Sequence, residues 1–290
     1  MLEPTPASPA LHWQTTRFRI DLARPRVMGI VNLTPDSFSD GGQLATTRAA
    51  LAHCEQLLKD GADILDLGAE SSRPGADAVP LADELARLLP VLREALRLQV
   101  PLSIDTYKAE VMRAALDLGA DIVNDIFALQ APGAEAIVAS HPGCGICLMH
   151  AQGEPKSMQA APHYDDVVAE VRDFLAARCA ALAQHGVAAE RIVIDPGIGF
   201  GKTVAHNFTL LARQRELLQL GVPLLAGWSR KSSLGAVTGR PVGERLAGSL
   251  AAALAAVQNG ARVLRVHDVA PTVDALKVWG AAGLIDGDGR

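Results

Sequence analysis

Polar and charged residues recur at the ends of short apolar runs along the chain, and their types indicate what they could bind. Asp and Asn can pair with a flat heterocycle that carries amino and ring N–H groups, whereas Arg, Lys and His suit phosphate oxygens. The predicted ligand therefore has both hydrogen-bonding edges and anionic groups, in a site with two halves. The residues at these ends are Asn32, Glu70, Ser71, Ser72, Arg73, Asp105, Asn124, Asp125, His150, Asp195, Ser229, Arg230, Lys231, Arg265, His267 and Asp268.

Each of these residues also has a structural interpretation when it is taken singly. Strand ends and turns favour Asp, Asn and Ser for local hydrogen bonds and helix caps. His150 in particular is at least as readily explained by a structural hydrogen bond as by substrate contact. The set as a whole is harder to explain in this way, because carboxylates, amides and cations from nearly every strand end would meet at one mouth.

Eight short runs rich in Val, Ile and Leu must position these residues, and each predicts a β-strand followed by a helix. The predicted strands are 27–31, 63–67, 101–104, 121–123, 145–149, 191–194, 222–226 and 262–266. The predicted helices are 44–59, 81–98, 109–118, 132–139, 164–184, 205–220, 242–259 and 271–279. Eight such units predict an α/β fold, a closed (β/α)8 TIM barrel, in preference to a doubly wound sheet.

The segment before the first barrel strand predicts a short hairpin. Residues 11–24 place Trp13, Phe18 and Ile20 in rough alternation with polar residues, which suits a cover over the bottom of the barrel. Residues 1–10 contain three prolines and predict a flexible N-terminus. No linker or low-complexity tract divides the rest, so residues 11–290 are predicted to form a single domain.

Two long loops follow the first two predicted strands, at 32–42 and 68–79. Gly41, Gly42 and Gly75 supply flexibility, and Phe38 would be an unusual apolar residue to leave exposed unless it closes over a ligand. We expect both loops to close the site. Ordinary surface loops are the alternative.

The glycine-rich stretch 195–203 suggests a nucleotide loop but matches neither common motif. Pro196 stands where a Walker A loop needs its first glycine, and one residue rather than two separates Gly199 from Gly201. These glycines are predicted to permit close backbone approach by a flat ligand, with Asp195 as the specific contact.

The composition excludes several classes of partner. The formal net charge is -5, from 27 basic and 32 acidic residues, so no broad cationic surface is expected for nucleic acid or for anionic lipid. The Ala-rich stretch 247–257 is too short to span a membrane. Four irregularly spaced cysteines do not predict a disulfide framework and fit reduced thiols in a cytoplasmic protein.

The motifs at the ends of the apolar runs resemble those of the dihydropteroate synthase family and occur in the same order. The resemblance extends from roughly residue 27 to the end of the sequence. The motifs are MGIVNLTPDSFSDGG at 28–42, GAESSRPG at 68–75, SIDT at 103–106, NDI at 124–126, LMH at 148–150, DPGIGFGK at 195–202, SRKS at 229–232 and RVHDV at 265–269. The resemblance implies a pterin-binding TIM barrel of folate biosynthesis. Its reaction joins 6-hydroxymethyl-7,8-dihydropterin pyrophosphate to p-aminobenzoate, releases pyrophosphate and forms 7,8-dihydropteroate, and sulfonamides inhibit it.

Site residues follow from the resemblance motif by motif. The implied pterin-binding residues are Asp105, Asn124, Met149, Asp195, Phe200 and Lys231. The implied pyrophosphate-binding residues are Asn32, Ser72, Arg73, Arg265 and His267, with Mg2+ held by Asn32 and phosphate oxygens. The implied aminobenzoate-binding residues are Phe38, Ser72, Pro74, Ser229 and Lys231. Catalytic roles would fall to Asp195, Lys231, Asp40 and Arg73. The family also implies a homodimer through the last helices.

Some positions depart from the family pattern. These are Ser72, Tyr107, Ala151 and Trp228, and none of them removes an implied catalytic group.

Three alternatives to the implied function stay open. A barrel that transfers a methyl group from a folate to a corrinoid could share the pocket of Asp105, Asn124 and Asp195. A noncatalytic pterin-binding paralogue could keep the same residues, and a phosphate-binding barrel of unrelated metabolism is the third.

Overall fold

A computed structural model describes residues 12–33, 42–71, 76–153 and 157–285, with the side chains of 42–45 excluded. Strand β1, His12–Gln14, pairs antiparallel with β2, Arg19–Asp21, so the predicted hairpin is confirmed. The indole Nε1 of Trp13 donates to the carbonyl of Arg191 at 2.9 Å and fixes the hairpin against the barrel. The predicted flexible N-terminus, 1–10, lies outside the described residues.

Eight parallel strands close into a barrel, as the apolar runs predict. They are β3 (Arg26–Asn32), β4 (Ile64–Gly68), β5 (Leu102–Asp105), β6 (Ile122–Asp125), β7 (Gly145–Met149), β8 (Ile192–Asp195), β9 (Leu224–Ala226) and β10 (Ala261–Val266). The last strand pairs with the first, with Arg265 opposite Met28, so the sheet has no free edge. The TIM-barrel prediction is confirmed.

A buried apolar cluster fills the lower end of the barrel beneath the hairpin. It comprises Trp13, Ile20, Leu22, Met28, Ile64, Ile122, Cys147, Val193, Leu225 and Val263. A second and larger cluster packs the outer faces of the strands against the surrounding helices. Because the lower end is filled by side chains, a ligand can enter the barrel only from the opposite end, where the strands end.

The helices between the strands are mostly those predicted. They are α1 (Gly42–Lys59), α2 (Leu81–Ala95), α3 (Ala109–Leu118), α4 (Ala134–Ser140), α5 (Val167–Gln184), α6 (Val204–Ala212), α7 (Ser232–Thr238), α8 (Leu246–Gln258) and α9 (Val269–Ala281). Among residues 12–33, 42–71, 76–153 and 157–285, none of the helices has the length and apolar content that a membrane crossing needs.

Three helix predictions differ from the structure in more than a shift of their ends by two or three residues. The predicted helix 205–220 ends at Ala212 and continues as a 3-10 segment, Gln214–Leu220, in which the buried amide of Gln214 donates to the carbonyls of Ala256 and Asn259. The predicted helix 242–259 begins with a 3-10 turn, and the predicted helix 81–98 ends with one. Helix α7 was not predicted, because its seven residues contain two serines and a glycine and show no apolar periodicity.

Candidate functional site

A cavity of about 480 Å³ opens at the carboxyl ends of the strands, and every barrel strand or the loop after it contributes to its lining. Ten predicted site residues lie within the described ranges, and all ten line this cavity. They are Asn32, Asp105, Asn124, Met149, Asp195, Phe200, Ser229, Lys231, Arg265 and His267. The other five, Phe38, Asp40, Ser72, Arg73 and Pro74, lie outside the described residues.

Two carboxylates form the deep part of the cavity. Asp105 ends β5 and Asp195 ends β8, and their residues are 8% and 5% exposed. Burial raises the pKa of Asp105 to about 7, although the nearby Arg265 cation opposes the shift. Burial also raises the pKa of Asp195, against the backbone N–H of Gly197, which donates to Oδ1 at 2.7 Å, and the charge of Lys231. Both groups are poised to pair with N–H donors of a ligand.

Arg265 connects the deep carboxylates to the upper part of the cavity. Its Nη2 donates to Oδ2 of Asp105 at 2.6 Å, and its Nε donates to Oδ2 of Asp66 at 2.6 Å. The side chain keeps 21% of its surface exposed and lines the cavity. A cation in this position can meet an anionic group of a ligand whose ring lies deeper.

Lys231 packs directly against the loop after β8. The Nζ of Lys231 is 4.2 Å from the centre of the Phe200 ring, a cation–π contact. Gly199 has φ +84, and an added Cβ would lie 3.3 Å from Cδ of Lys231. Glycine at this position therefore lets the lysine lie close against the backbone.

A buried lysine holds the loop after β8 in place. The Nζ of Lys202 donates to the carbonyls of His150, Gly197 and Phe200 at 3.2, 3.0 and 3.0 Å, and it lies 2.9 Å from Nδ1 of His150. Burial lowers the pKa of Lys202 to about 7 and that of His150 to about 3, so the imidazole is neutral and can accept from the lysine. His150 is therefore part of the support of the loop, which agrees with the structural interpretation of its position.

The upper rim of the cavity carries hydroxyl and cationic groups. The Oγ of Ser229 accepts from the backbone N–H of His267 at 3.1 Å and lies 3.1 Å from its Nδ1. Arg230 has φ +59 and pairs with Asp268 at 2.6 Å. These contacts link the segment after β9 to the segment after β10, so Ser229 and His267 are placed as a pair.

A charged cluster supports the opposite rim. Glu70 accepts from the hydroxyl of Tyr107 at 2.7 Å, from the backbone N–H of Val79 at 3.2 Å and from Lys108. Lys108 also donates to Glu84 at 2.5 Å. The donors to Glu70 outweigh its burial and lower its pKa. Through Glu70, the cluster connects the segment after β4 to Val79 and to Tyr107 and Lys108, which follow β5.

Sequence reasoning assigned no role to two acidic residues of this region. Asp66 is fully buried in the middle of β4, and the one signal for it is a carboxylate inside an otherwise apolar run. Glu70 was included among the run ends but received no role. Within the part of the chain that the structure describes, no group of three or more His, Cys, Asp or Glu side chains is placed to hold a metal ion.

Comparison with known proteins gives consistent matches over the barrel. The family described as pterin binding enzyme matches residues 28–267. The chain is 54% identical over 276 residues to a dihydropteroate synthase of Neisseria meningitidis serogroup C, covering 94% of this chain and 98% of that protein. It is also similar to the Xanthomonas albilineans dihydropteroate synthase solved with 4-aminobenzoic acid, with 52% identity and a TM-score of 0.88. That match covers 96% of this chain and 99% of the Xanthomonas chain. The Burkholderia cenocepacia dihydropteroate synthase complexed with 7,8-dihydropteroate is 51% identical, with a TM-score of 0.86. That match covers 95% of this chain and 97% of the Burkholderia chain.

Proposed function

The chain belongs to the dihydropteroate synthase family of pterin binding enzymes, and we propose that its strand-end cavity condenses 6-hydroxymethyl-7,8-dihydropterin pyrophosphate with p-aminobenzoate. The products are 7,8-dihydropteroate and pyrophosphate, so the enzyme is a transferase of folate biosynthesis. One observation carries the assignment of the site: the ten described candidate residues line a single cavity.

The deep half of the cavity suits the pterin ring. Asp105, Asn124 and Asp195 are 8%, 5% and 5% exposed, and their oxygens can accept from the amino and ring N–H groups of a pterin. Lys231 adds a donor and a positive charge on the side of Phe200. Met149 and Phe200 are buried with Ile126 and Met158 and supply apolar walls for the flat ring.

The upper half of the cavity suits the pyrophosphate. Asn32, Arg265 and His267 line it and are less buried than the deep carboxylates. Their amide, guanidinium and imidazole groups can bind phosphate oxygens, and charge-assisted hydrogen bonds of this kind are about twice as strong as neutral ones. The family pattern adds Ser72 and Arg73 to this half.

The residues present fit Mg2+ that arrives with the substrate. Mg2+ is commonly held by one or two protein oxygens together with substrate phosphates and water. The side-chain oxygen of Asn32 is the protein ligand that we assign. Bound there, the metal would neutralise charge on the departing pyrophosphate.

The aminobenzoate is assigned to the rim near Ser229 and Lys231, together with Phe38, Ser72 and Pro74 by the family pattern. Lys231 lines the cavity between this rim and the deep half, so it can serve both substrates. Its role is to position and recognise them, since charge stabilisation is shared with Asp195, Arg265 and His267.

The reaction that we propose begins with loss of pyrophosphate from the pterin methylene. The electron pair of the C–O bond leaves with the oxygen, and the resulting cation delocalises into the pterin, where Asp195 stabilises it. Arg265 and His267 stabilise the leaving charge. The arylamine nitrogen then attacks the methylene, forms the C–N bond and loses its proton to water. Asp40 and Arg73 are assigned to closing the site over this step, as the family pattern implies.

We further propose that the enzyme is a cytoplasmic homodimer through its last helices. Exposed apolar side chains support this assignment, with Val237 in α7, Leu246 at the start of α8 and Val278 in α9 at 59%, 40% and 67% exposure. Ala247 and Ala251 lie exposed on α8 and permit close helix packing. Light scattering of the purified protein tests the assembly, and a monomer at micromolar concentration would contradict it.

Turnover separates this function from its alternatives. Purified protein is mixed with Mg2+, the pterin pyrophosphate and p-aminobenzoate, and both pyrophosphate and dihydropteroate are measured. We expect equimolar products and competition by a sulfonamide against aminobenzoate. Tight pterin binding without dihydropteroate would indicate a noncatalytic paralogue, and methyl transfer from a folate to a corrinoid would indicate a methyltransferase. Either result would overturn the proposal.

A further inference from the structure

A fully buried carboxylate lies just beneath the cavity. Asp66 is the central residue of β4, its side chain has no exposed surface, and it has no role in the site assigned above. Alternate residues of a strand face the same side. Ile64, two residues earlier, belongs to the apolar cluster at the lower end of the barrel. Asp66 therefore lies between that cluster and the ligand-binding residues.

Asp66 contacts one residue from each half of the proposed site. Its Oδ2 accepts from Nε of Arg265 at 2.6 Å. Its Oδ2 and Oδ1 lie 3.4 and 3.5 Å from Nδ2 of Asn124. The first contact is a short charge-assisted hydrogen bond, and the second is a long hydrogen bond between buried groups.

These contacts determine how both partners can present themselves to a ligand. An ionised carboxylate can only accept hydrogen bonds, so Asn124 must turn its NH2 group toward Asp66 and keep its oxygen for a ligand N–H. Arg265 is held by Asp66 through Nε and by Asp105 through Nη2. The planar guanidinium is thereby fixed at two nitrogens, and its remaining N–H groups are available to phosphate oxygens.

We propose that Asp66 is a positioning residue, which orients Asn124 toward the pterin and Arg265 toward the pyrophosphate and so prepares both halves of the site together. The inference rests on the proposed function, because it assigns the two partners to parts of one substrate.

The negative charge of Asp66 also acts on Asp105. Four charged groups besides burial influence the pKa of Asp105: Arg265 lowers it, whereas Asp66, Asp125 and Glu84 raise it. Replacing Asp66 by a neutral residue removes one of the raising influences. The pKa of Asp105 then falls, and the acidic limit of pterin binding moves to lower pH. The shift in this limit reports the charge of Asp66 alone, so the positioning role is tested by ligand affinities measured above the limit.

The test compares Asp66→Asn with Ser103→Ala. Asn has nearly the shape of Asp but no charge. Ser103 lies opposite Asp66 in register on β5, is fully buried, and its Oγ has no hydrogen-bond partner among the described residues. Calorimetric titrations with 6-hydroxymethyl-7,8-dihydropterin and, separately, with pyrophosphate plus Mg2+ measure the two halves of the site.

We expect Asp66→Asn to weaken both ligands by about tenfold or more, the range seen when a residue that orients a ligating group is removed. Ser103→Ala should stay within about twofold of the wild type, since it removes no contact. A folded Asp66→Asn protein that binds both ligands as tightly as the wild type overturns the inference. If that variant does not fold, Asp66→Ser replaces it, with the same expected losses and the same refuting result.

Wild-type turnover separates the two proposals. If the wild type makes no dihydropteroate while it binds the pterin, the proposed function fails whatever the variants show. If the wild type turns over normally and the Asp66 variants keep both affinities, the role of Asp66 fails and the function stands.

Discussion

Gly197 offers a sharp test of how the loop after β8 supports the site. Its φ is +68, and a Cβ added there would lie 1.8 Å from the carbonyl oxygen of His150. Ordinary contact needs at least 3.4 Å, so an alanine must separate the two segments by roughly 1.5 Å. The backbone N–H of Gly197 also donates to Oδ1 of Asp195 at 2.7 Å. Displacement of this residue therefore moves a hydrogen bond of the deep carboxylate.

Gly197→Ala should reduce activity far more than expected from the cost of placing an alanine at a positive φ. An alanine in the left-handed region costs roughly 1–2 kcal/mol of folding free energy. The steric overlap adds to that loss and misplaces Asp195, and a shift of about 1 Å at a reacting centre can lower turnover on the order of a hundredfold. We expect kcat/KM for the pterin pyrophosphate to fall by about that factor.

Gly186→Ala is the matched control. Gly186 has φ +78, but no atom lies within 4 Å of a Cβ placed there. This variant should lose about the same 1–2 kcal/mol in urea unfolding and keep its turnover. Urea unfolding and steady-state dihydropteroate formation are measured on both variants. A Gly197→Ala enzyme with the kcat/KM of Gly186→Ala would refute the reasoning.

Three further predictions concern residues that line the cavity. Lys231→Ala should lower turnover while unfolding in urea like the wild type, because Lys231 lies at the edge of α7 and its Nζ faces the Phe200 ring; near-normal turnover would reject its assigned role. Asn32→Ala should weaken the Mg2+ dependence of the rate, and an unchanged Mg2+ titration would contradict the ligand assignment. Because burial raises the pKa of Asp105 to about 7, its carboxylate ionises as the pH rises through that value. Pterin affinity should increase over the same range, and calorimetry should find this dependence absent in Asp105→Asn; a dependence that persists there would assign it to another group.

The order of the strands and the identity of the strand-end residues follow from local patterns. The strands β4 to β9 are buried along their whole length, so most of them read as nearly continuous hydrophobic segments with a polar residue at or just after the end. Parallel strands connected by helices bring their carboxyl ends to one side. Asp105, Asn124 and Asp195 could therefore be assigned to a common site before any distance was known.

Contacts between distant segments could not be predicted in the same way. Lys202 and His150 are 52 residues apart, and nothing in the spacing of either motif indicates that the lysine supports the loop through the imidazole and three carbonyls. Helix α7 depends on the packing of its few apolar residues, because a helix of seven residues has little stability of its own. The break at Ala212 likewise accompanies hydrogen bonds from Gln214 to a different helix.

The sequence by itself determined the barrel, the family and the set of residues at the open end of the barrel. The apolar periodicity of each strand and helix, and the motifs at the strand ends, are encoded in residues that are close together in the chain. Only the tertiary structure decided which of these residues touch. Arg265 and Asp66 are 199 positions apart, and they meet because closure of the barrel brings β10 beside β3 and therefore only one strand away from β4, which carries Asp66. An aspartate within an apolar run has no interpretation until the cation that neutralises it is located, since a buried charge is stable only with its partner in place.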